Sequence, residues 1–426
     1  MRETVYWQDS VLKLDSLMIY RGILQDEVVR KFTMLLEMLA GSERNTDARY
    51  REFVNTLVAK ACELGLSGNI LSKYLIWLFL RDENSFTLAC ERGEPVEKSS
   101  LYEMVLKDLE VLHYFCEFDL KNLCSMVGSG EKLANFVPIV SREDGYLGEV
   151  LQASSAKNKM RLLQGYYNGL GAGDMASYHM FKLDDENGKL IGIEFPDTVT
   201  FKNIFVYERQ KQMLKDNIEA FLAGQPTNNV LLTGSRGNGK SSCVKALVNG
   251  YRDKGLRLIE VRKDQAVLLP KLIDHLAGRG LYFLIYMDDL SYDHFETQYK
   301  YLKSLLEGGA GIKPPNVVFF ATSNRRHIVH ESWGDRETNT EEIHAMDTVN
   351  EKMSLYDRFG LTVHFPNLSQ EEYLKIVQGI AHKHKITIDE DFLNSQALQW
   401  AMEQKCISGR TAVQFIHHIM WELTKS

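Results

Sequence analysis

The run from Gly234 to Ser241 reads GSRGNGKS and matches the spacing Gly-x-x-x-x-Gly-Lys-Ser/Thr at every fixed position. Glycines at this spacing let successive backbone N–H groups close around a phosphate, and the start of the following helix adds partial positive charge. We expect Lys240, on an exposed loop, to reach the β- and γ-phosphates, and the Ser241 hydroxyl to bind Mg²⁺. The predicted phosphate contacts are Gly234, Ser235, Arg236, Gly237, Asn238, Gly239, Lys240, Ser241 and Ser242.

The residues around this run have the patterns of a strand before it and a helix after it. The apolar run 230–232 leads in, and Val244, Leu247, Val248 and Tyr251 follow at helical spacing. A glycine-rich turn without a ligand is the alternative interpretation, but the order strand, loop, helix favours a phosphate loop. The sequence therefore predicts an ATP site with Mg²⁺.

A second acidic element follows another apolar run, 284–287, which ends at Asp288 and Asp289. Ligands of open α/β sheets bind at the carboxyl ends of the strands. We therefore assign Asp288 to the coordination sphere of the metal and Asp289 to orienting or deprotonating the attacking water. Two acids that merely begin a polar turn are the alternative.

The elements that must position these residues alternate regularly between about 228 and 366. Such alternation predicts a parallel sheet wrapped by helices, an α/β fold of the P-loop NTPase kind. Helical patterns fill the chain before it and again from Ser369 onward, where they predict a helical lid. The predicted domains are 1–185 (mostly helical), 186–366 (α/β, nucleotide-binding) and 367–426 (helical lid). The predicted strands are Val230–Thr233, Leu256–Val261, Leu281–Met287, Val317–Thr322 and Leu361–Phe365.

Composition narrows the class of protein. The 426 residues are 44% hydrophobic and 25% charged, as in ordinary globular domains. Apolar runs are too short to span a membrane, and the first residues lack the pattern of a secretory signal, so a cytoplasmic protein without membrane contact is expected. Six cysteines without a Cys-x-x-Cys pair disfavour a zinc site or a disulfide framework. A net charge of −7 does not support nucleic-acid binding.

From about Phe195 to its end the chain resembles an AAA+ ATPase module. Within that superfamily it is similar to the bacterial proteins grouped as domain of unknown function 815, through the runs Tyr207-Glu208-Arg209-Gln210 and Asp357-Arg358-Phe359-Gly360. The resemblance covers over half of the chain. It implies a homo-oligomer, with a hexamer as the expected size.

The resemblance also implies roles for three further polar residues. Asn324 matches the sensor 1 residue that positions the lytic water, although asparagine at a strand end is also ordinary turn chemistry. Arg358 matches the arginine finger that reaches a neighbouring subunit's nucleotide, with a surface salt bridge as the alternative. Arg410 matches the sensor 2 arginine of the lid, with helix capping by Ser408 as the alternative explanation of that run.

Val206 and Tyr207 fall where AAA+ proteins contact adenine, although an aromatic residue beside an apolar one is more often core. Two features depart from the family pattern. Asp289 stands where most members have glutamate, which shortens its reach by one methylene. The segment 262–267 lacks the aromatic-apolar-glycine loop of peptide-threading relatives, so an unfoldase role is not supported.

Four functions fit these features to different degrees. An oligomeric ATPase that couples lid closure to the N-terminal region explains the most residues. A nucleotide-gated scaffold with very slow turnover is the alternative that Asp289 motivates. A small-metabolite kinase leaves Arg410 and Arg358 unexplained, and a nucleic-acid partner rests only on Arg325 and Arg326.

Overall fold

The computed structural model describes residues 2–41, 46–120, 123, 133, 135–141, 145–290, 313–324 and 358–424. The chain divides into two compact units, Met1–Ser177 and Tyr178–Ser426. Within the described residues, no helix has both the length and the apolar character that crossing a membrane requires.

The first unit is helical, as expected. Its core is rich in aromatic side chains, among which Phe32 packs against Phe53 and Phe115. Buried Asp108 accepts hydrogen bonds from three consecutive backbone N–H groups at residues 18–20. These bonds satisfy the backbone donors of the turn that follows the first helix. The helices are α1 (Arg2–Asp15), α2 (Glu27–Ala40), α3 (Thr46–Leu64), α4 (Ile70–Arg81), α5 (Ser85–Glu91), α6 (Ser100–Cys116), α7 (Gly145–Gln152), α8 (Ala156–Leu170) and α9 (Asp174–Ser177).

The second unit is built on a seven-stranded sheet with the order β2-β1-β4-β5-β6-β3-β7. All neighbouring strands are parallel except β1 and β2, which form an antiparallel hairpin at one edge. All five predicted strands are present. The strands are β1 (Met180–Leu183), β2 (Leu190–Gly192), β3 (Val230–Gly234), β4 (Leu256–Glu260), β5 (Tyr282–Met287), β6 (Val317–Ser323) and β7 (Leu361–Phe365).

The edge hairpin is the one part of the sheet that the sequence patterns do not predict. Strand β1 pairs with β4, so it belongs to the second unit. The division into two units falls between Ser177 and Tyr178, and the charged turn that includes residue 185 joins the two strands of the hairpin.

Helices pack against the sheet, and three more helices come after its last strand in the chain. The apolar face of α11, which includes Val244, Leu247 and Val248, shares one hydrophobic core with the strand residues Val230 and Leu232. Three lid helices follow β7, and Ser369, Asp389 and Ser408 cap their first turns by accepting backbone N–H bonds. The helices are α10 (Glu208–Leu222), α11 (Lys240–Tyr251), α12 (Leu269–Ala277), α13 (Gln370–Lys383), α14 (Glu390–Glu403) and α15 (Gly409–Leu423).

Candidate nucleotide site

The phosphate loop connects β3 to α11 through three glycines with positive φ. Gly234 has φ 141°, and a Cβ there would lie 2.3 Å from the Phe365 carbonyl oxygen, so only glycine fits beside β7. Gly237 and Gly239 have φ 79° and 84°. Helix α11 then begins at Lys240, so its first N–H groups and its dipole point into the loop. The local geometry is that of an anion cradle.

Lys240 is buried, contrary to the expectation of an exposed loop lysine. Only 6% of the residue is exposed. Its Nζ donates to the carbonyl oxygens of Gly234 (2.8 Å) and Ser235 (2.9 Å) and to Asn324 Oδ1 (3.0 Å). Burial lowers the pKa of Lys240, while the charges of Asp288 and Asp289 oppose this shift. All three ammonium protons have protein partners, so any further acceptor would have to replace one of them.

Asp288 lies just beyond β5 and concentrates hydrogen bonds on one oxygen. Its Oδ1 accepts from the hydroxyls of Thr322, Tyr286 (2.8 Å) and Ser241 (3.2 Å). Burial raises the pKa of Asp288, but the hydrogen bonds outweigh it and the net pKa lies below the ordinary value. Within the described residues Oδ2 accepts no hydrogen bond. This oxygen and the Ser241 hydroxyl, which contacts the same carboxylate, are hard oxygen ligands of the kind that Mg²⁺ prefers.

Asp289 adopts a left-handed backbone conformation, with φ 53°, which is uncommon for a residue other than glycine. Its backbone N–H donates to Thr322 Oγ1 at 2.8 Å. Its Oδ1 accepts from Asn324 Nδ2 at 2.7 Å, and its Oδ2 lies 3.4 Å from Nη2 of the exposed Arg236. The site thus brings together Asp289, Asn324 and the phosphate loop, all of which the sequence singles out.

The lid contacts the phosphate loop directly. The backbone N–H of Arg410 donates to the Gly237 carbonyl at 3.3 Å. A Cβ at Gly237 would lie 3.0 Å from Ser408 Oγ and 3.2 Å from Arg410 Cβ. Ser408 is the N-cap of α15, so capping by Ser408 and placement of Arg410 at the site occur together.

A cavity of about 660 Å³ joins these groups. The phosphate loop, the two aspartates and Asn324 line one part of it, and Arg410 contributes from the lid. The rest is mainly apolar, with residues 204–207 on one side and Leu368, Ile376 and Ile380 on the other. Charged groups suit phosphates and an apolar wall suits a base, so the lining matches a nucleotide.

Val206 and Tyr207 both line this cavity and are largely buried. The Tyr207 hydroxyl donates to the Pro366 carbonyl at 2.9 Å, and its ring lies edge-on to Phe365 with centroids 5.0 Å apart. Tyr207 therefore packs as a core residue and also borders the cavity. Core packing and a place beside a ligand are thus compatible for this residue.

Arg358 lies away from the cavity of its own chain. It precedes β7, whose residues Leu361 and Phe365 pair with Val230 and Gly234 of β3. This register puts Arg358 at the amino ends of the strands, roughly 13 Å of strand from the phosphate loop at the carboxyl ends. Arg325, Arg326 and Asp357 lie outside the described residues.

Several residues of the site are not singled out by sequence patterns. The hydroxyls of Thr322 and Tyr286 donate to Asp288. Phe205 packs against the lid, because a Cβ at Gly379 would lie 2.4 Å from its ring. Thr322 lies two residues before Asn324, at the end of a central strand. This position is the sequence signal that points to Thr322 as a site residue.

Comparison with known proteins identifies the family of the chain. The family model described as "Protein of unknown function (DUF815)" matches residues 176–423. No curated protein matches the chain. Among solved structures, the chain is similar to a threonine-to-valine variant of Thermotoga maritima RuvB, at 14% identity and TM-score 0.33, with 51% of this chain and 71% of that chain covered. It is also similar to the Thermotoga maritima RuvB Holliday junction branch migration motor, at 12% identity and TM-score 0.30, with 50% and 70% covered.

Proposed function

The chain belongs to the DUF815 family and has an AAA+ P-loop NTPase fold, and from this premise we propose that it binds and hydrolyses ATP with Mg²⁺. One observation carries the proposal. Asn324 bridges Lys240, the phosphate-binding cation, and Asp289, the acid that would act on water, within one cavity. A purely structural loop has no need of this arrangement.

The residues present fit a bound Mg·ATP. The phosphates lie against the loop amides, and Lys240 exchanges one of its three protein acceptors for a phosphate oxygen. Ser241 and Asp288 would hold Mg²⁺, and the metal would neutralise charge on the phosphates when bound. The lowered pKa of Asp288 keeps its carboxylate charged for this purpose at neutral pH.

Hydrolysis transfers the γ-phosphoryl group of ATP to water and releases ADP. Asp289 orients that water and accepts its proton, through the carboxylate oxygen that faces Arg236 rather than the one bound to Asn324. Arg410 adds positive charge from the lid, and Arg358 adds it from a neighbouring subunit of a homo-oligomer. Both charges stabilise the transition state, in which negative charge is spread over the phosphoryl oxygens.

A second candidate function is a nucleotide-gated scaffold with very slow turnover. It is favoured by the surroundings of Asp289, whose carboxylate is shorter than glutamate by one methylene and whose two oxygens both face protein donors. In that case nucleotide binding sets the position of the lid, and this position carries the function. Slow hydrolysis only returns the protein to its conformation without ATP.

Titration with a fluorescent ATP analogue tests nucleotide binding. Lys240→Met keeps the apolar stem and removes the charge, so binding should be lost, while Lys271→Met, on the exposed side of α12, should bind like the parent. Binding by Lys240→Met at the parent's affinity would overturn the proposed site. Steady-state phosphate release then separates an ATPase from a scaffold, since a scaffold binds equally well but releases almost no phosphate.

A further inference from the structure

The segment 193–207 connects β2 to α10 and forms part of the wall of the nucleotide cavity. Val199 and residues 203–207 line that cavity. The segment, termed the strap below, contains one short 3₁₀ turn, Phe201–Asn203, and no strand. Its position therefore depends on side chains that hold its backbone.

Asn249 makes the principal contact with the first half of the strap. Its Nδ2 donates to the carbonyl oxygens of Asp197 (2.8 Å) and Val199 (2.7 Å). Lys245 adds an ion pair to Asp197 at 3.5 Å. Asn249 and Lys245 lie on α11, the helix that begins at Lys240. One helix thus carries the phosphate-binding lysine at its start and the strap anchor in its last turn.

The orientation of the Asn249 amide is set by His179. The two atoms His179 Nε2 and Asn249 Oδ1 are 3.0 Å apart. Because both N–H groups of Asn249 Nδ2 are used on carbonyls, its Oδ1 must accept, and His179 Nε2 must carry the proton. Burial lowers the pKa of His179, which favours a neutral ring with Nε2 protonated.

We propose that Asn249 is a positioning residue that sets the base end of the nucleotide cavity by holding the strap, with His179 fixing the amide. The inference rests on the proposed nucleotide site. The phosphate end of the cavity is built by the phosphate loop, the two aspartates and Asn324, none of which belongs to the strap, whereas the apolar wall at Ile204, Phe205 and Val206 does. Loosening the strap therefore weakens contacts to the base and ribose and leaves the phosphate cradle intact.

His179 gives the arrangement a further consequence. It is the second residue of the second unit and immediately precedes β1. The point where the chain enters this unit is thus connected to the nucleotide cavity through two side chains. Hydrogen exchange of the strap amides should speed up in Asn249→Ala and in His179→Ala alike.

The test compares two ligands that share phosphates but differ in the base. Affinities for Mg·ATP and for Mg·tripolyphosphate are measured for the parent, Asn249→Ala, His179→Ala and His179→Gln. Asn217→Ala is the matched control, because Asn217 also donates to a backbone carbonyl, Asn228 O at 3.2 Å, but does not line the cavity.

Asn249→Ala should weaken ATP binding about tenfold, or about 1.4 kcal/mol, because water replaces the two hydrogen bonds that hold the strap. Tripolyphosphate affinity should stay within about twofold, a difference of a few tenths of a kcal/mol. His179→Ala should weaken ATP binding less, and His179→Gln should restore it because the Gln side-chain amide donates from nearly the same place. The KM for ATP should rise in Asn249→Ala while kcat changes little.

Four outcomes overturn the inference. Parent-like ATP binding by Asn249→Ala does so directly. Equal loss of ATP and tripolyphosphate affinity does so too, because it places the damage in the phosphate cradle. If Asn249→Ala does not fold, identical affinities of His179→Ala and His179→Gln take its place as the contradicting result. A parent that binds no ATP at all overturns the proposed function and, with it, this inference.

Discussion

Asn324 and Asp289 are joined side chain to side chain, with Asn324 Nδ2 donating to Asp289 Oδ1 at 2.7 Å. The other end of the same amide accepts from Lys240 Nζ at 3.0 Å. These two bonds fix the orientation of the amide, because only its nitrogen can donate and only its oxygen can accept. A phosphate that displaces Asn324 from Lys240 therefore also releases a constraint on Asp289, so phosphate binding and placement of the acid are linked.

The first prediction concerns Thr322, whose hydroxyl donates to Asp288 and accepts from the Asp289 backbone N–H. Thr322→Val preserves the shape but removes two hydrogen bonds, the one to Asp288 and the shorter of the two that the Asp289 N–H makes, so the free energy of unfolding should fall by about 1–3 kcal/mol. Mg²⁺-dependent ATP affinity should fall as well. Thr322→Ser keeps the hydroxyl and is the control. Denaturant unfolding and ATP titration check both expectations, and a valine variant equal to the parent in both would contradict them.

The same variant has a pH signature. The pKa of folded Asp288 lies below its ordinary value, because hydrogen bonds outweigh the opposing effect of burial. Its contribution to stability is thus complete above the unfolded pKa of about 3.9 and is lost as pH falls through the folded pKa. Removing the Thr322 hydrogen bond raises the folded pKa, so in Thr322→Val this contribution should be smaller and its loss should be complete at a higher pH than in the parent. Unfolding curves between pH 3 and 7 measure the difference.

The second prediction concerns the contact between the phosphate loop and the lid. Gly237→Ala adds a Cβ 3.0 Å from Ser408 Oγ, at a φ of 79° that costs an alanine about 1–2 kcal/mol. ATP affinity should drop because the lid is pushed away from the loop. Gly224→Ala is the matched control, with φ 70° and nothing within 4 Å of the added Cβ. Equal ATP affinities in the two variants would show that the lid contact is irrelevant to binding.

The third prediction is that Arg358 acts across a subunit interface. The strand register places it at the opposite end of β7 from its own phosphate loop, so it acts in trans or not at all. Arginine fingers of phosphate-loop enzymes contribute on the order of 10³ to 10⁵ in rate. Arg358→Ala should therefore nearly abolish turnover while sparing ATP affinity.

Mixing two inactive proteins isolates this effect. Lys240→Ala retains Arg358, and Arg358→Ala retains the phosphate loop, so a mixed interface restores one complete site. Phosphate release should reappear on mixing and increase with protein concentration. A mixture that stays inactive although the two variants co-assemble would contradict the trans assignment, as would a parent whose specific activity is independent of concentration.

The central sheet is largely predictable from sequence because buried parallel strands are continuous apolar runs, as in Leu284–Met287 and Val317–Ala321. The β1–β2 hairpin is not. Strand β2 has only three residues and lies half-buried at the sheet edge, so it carries no hydrophobic signal. Its charged turn, closed by a bond from Asp184 N to Lys189 O at 2.8 Å, has the composition of an interdomain linker.

The phosphate loop and the two aspartates are predictable because their chemistry is local in sequence. The bonds that tune them are not, because they join residues far apart in the chain. In the sequence, Thr322 looks like an ordinary strand residue. Its contact with the acids is visible only once β6 is known to pair directly with β5, the strand that Asp288 and Asp289 follow. Burial of Lys240 likewise depends on Asn324, which lies 84 positions away in sequence.

The proposed ATP hydrolysis is tested most directly by steady-state phosphate release from Mg·ATP. The rate is measured for the parent and for Asp289→Asn, with ATP affinity measured on the same samples. The amide fills the space of the carboxylate but does not accept the proton of water, and general-base catalysis typically contributes about 10² to 10⁴ in rate. If Asp289 is the general base of an ATPase, the parent should release phosphate in a Mg²⁺-dependent reaction. The variant should still bind ATP, and its rate of release should be lower by a factor of at least about 10². Release by Asp289→Asn at the parent's rate, or release by the parent no greater than that of Lys240→Met, would contradict this proposal.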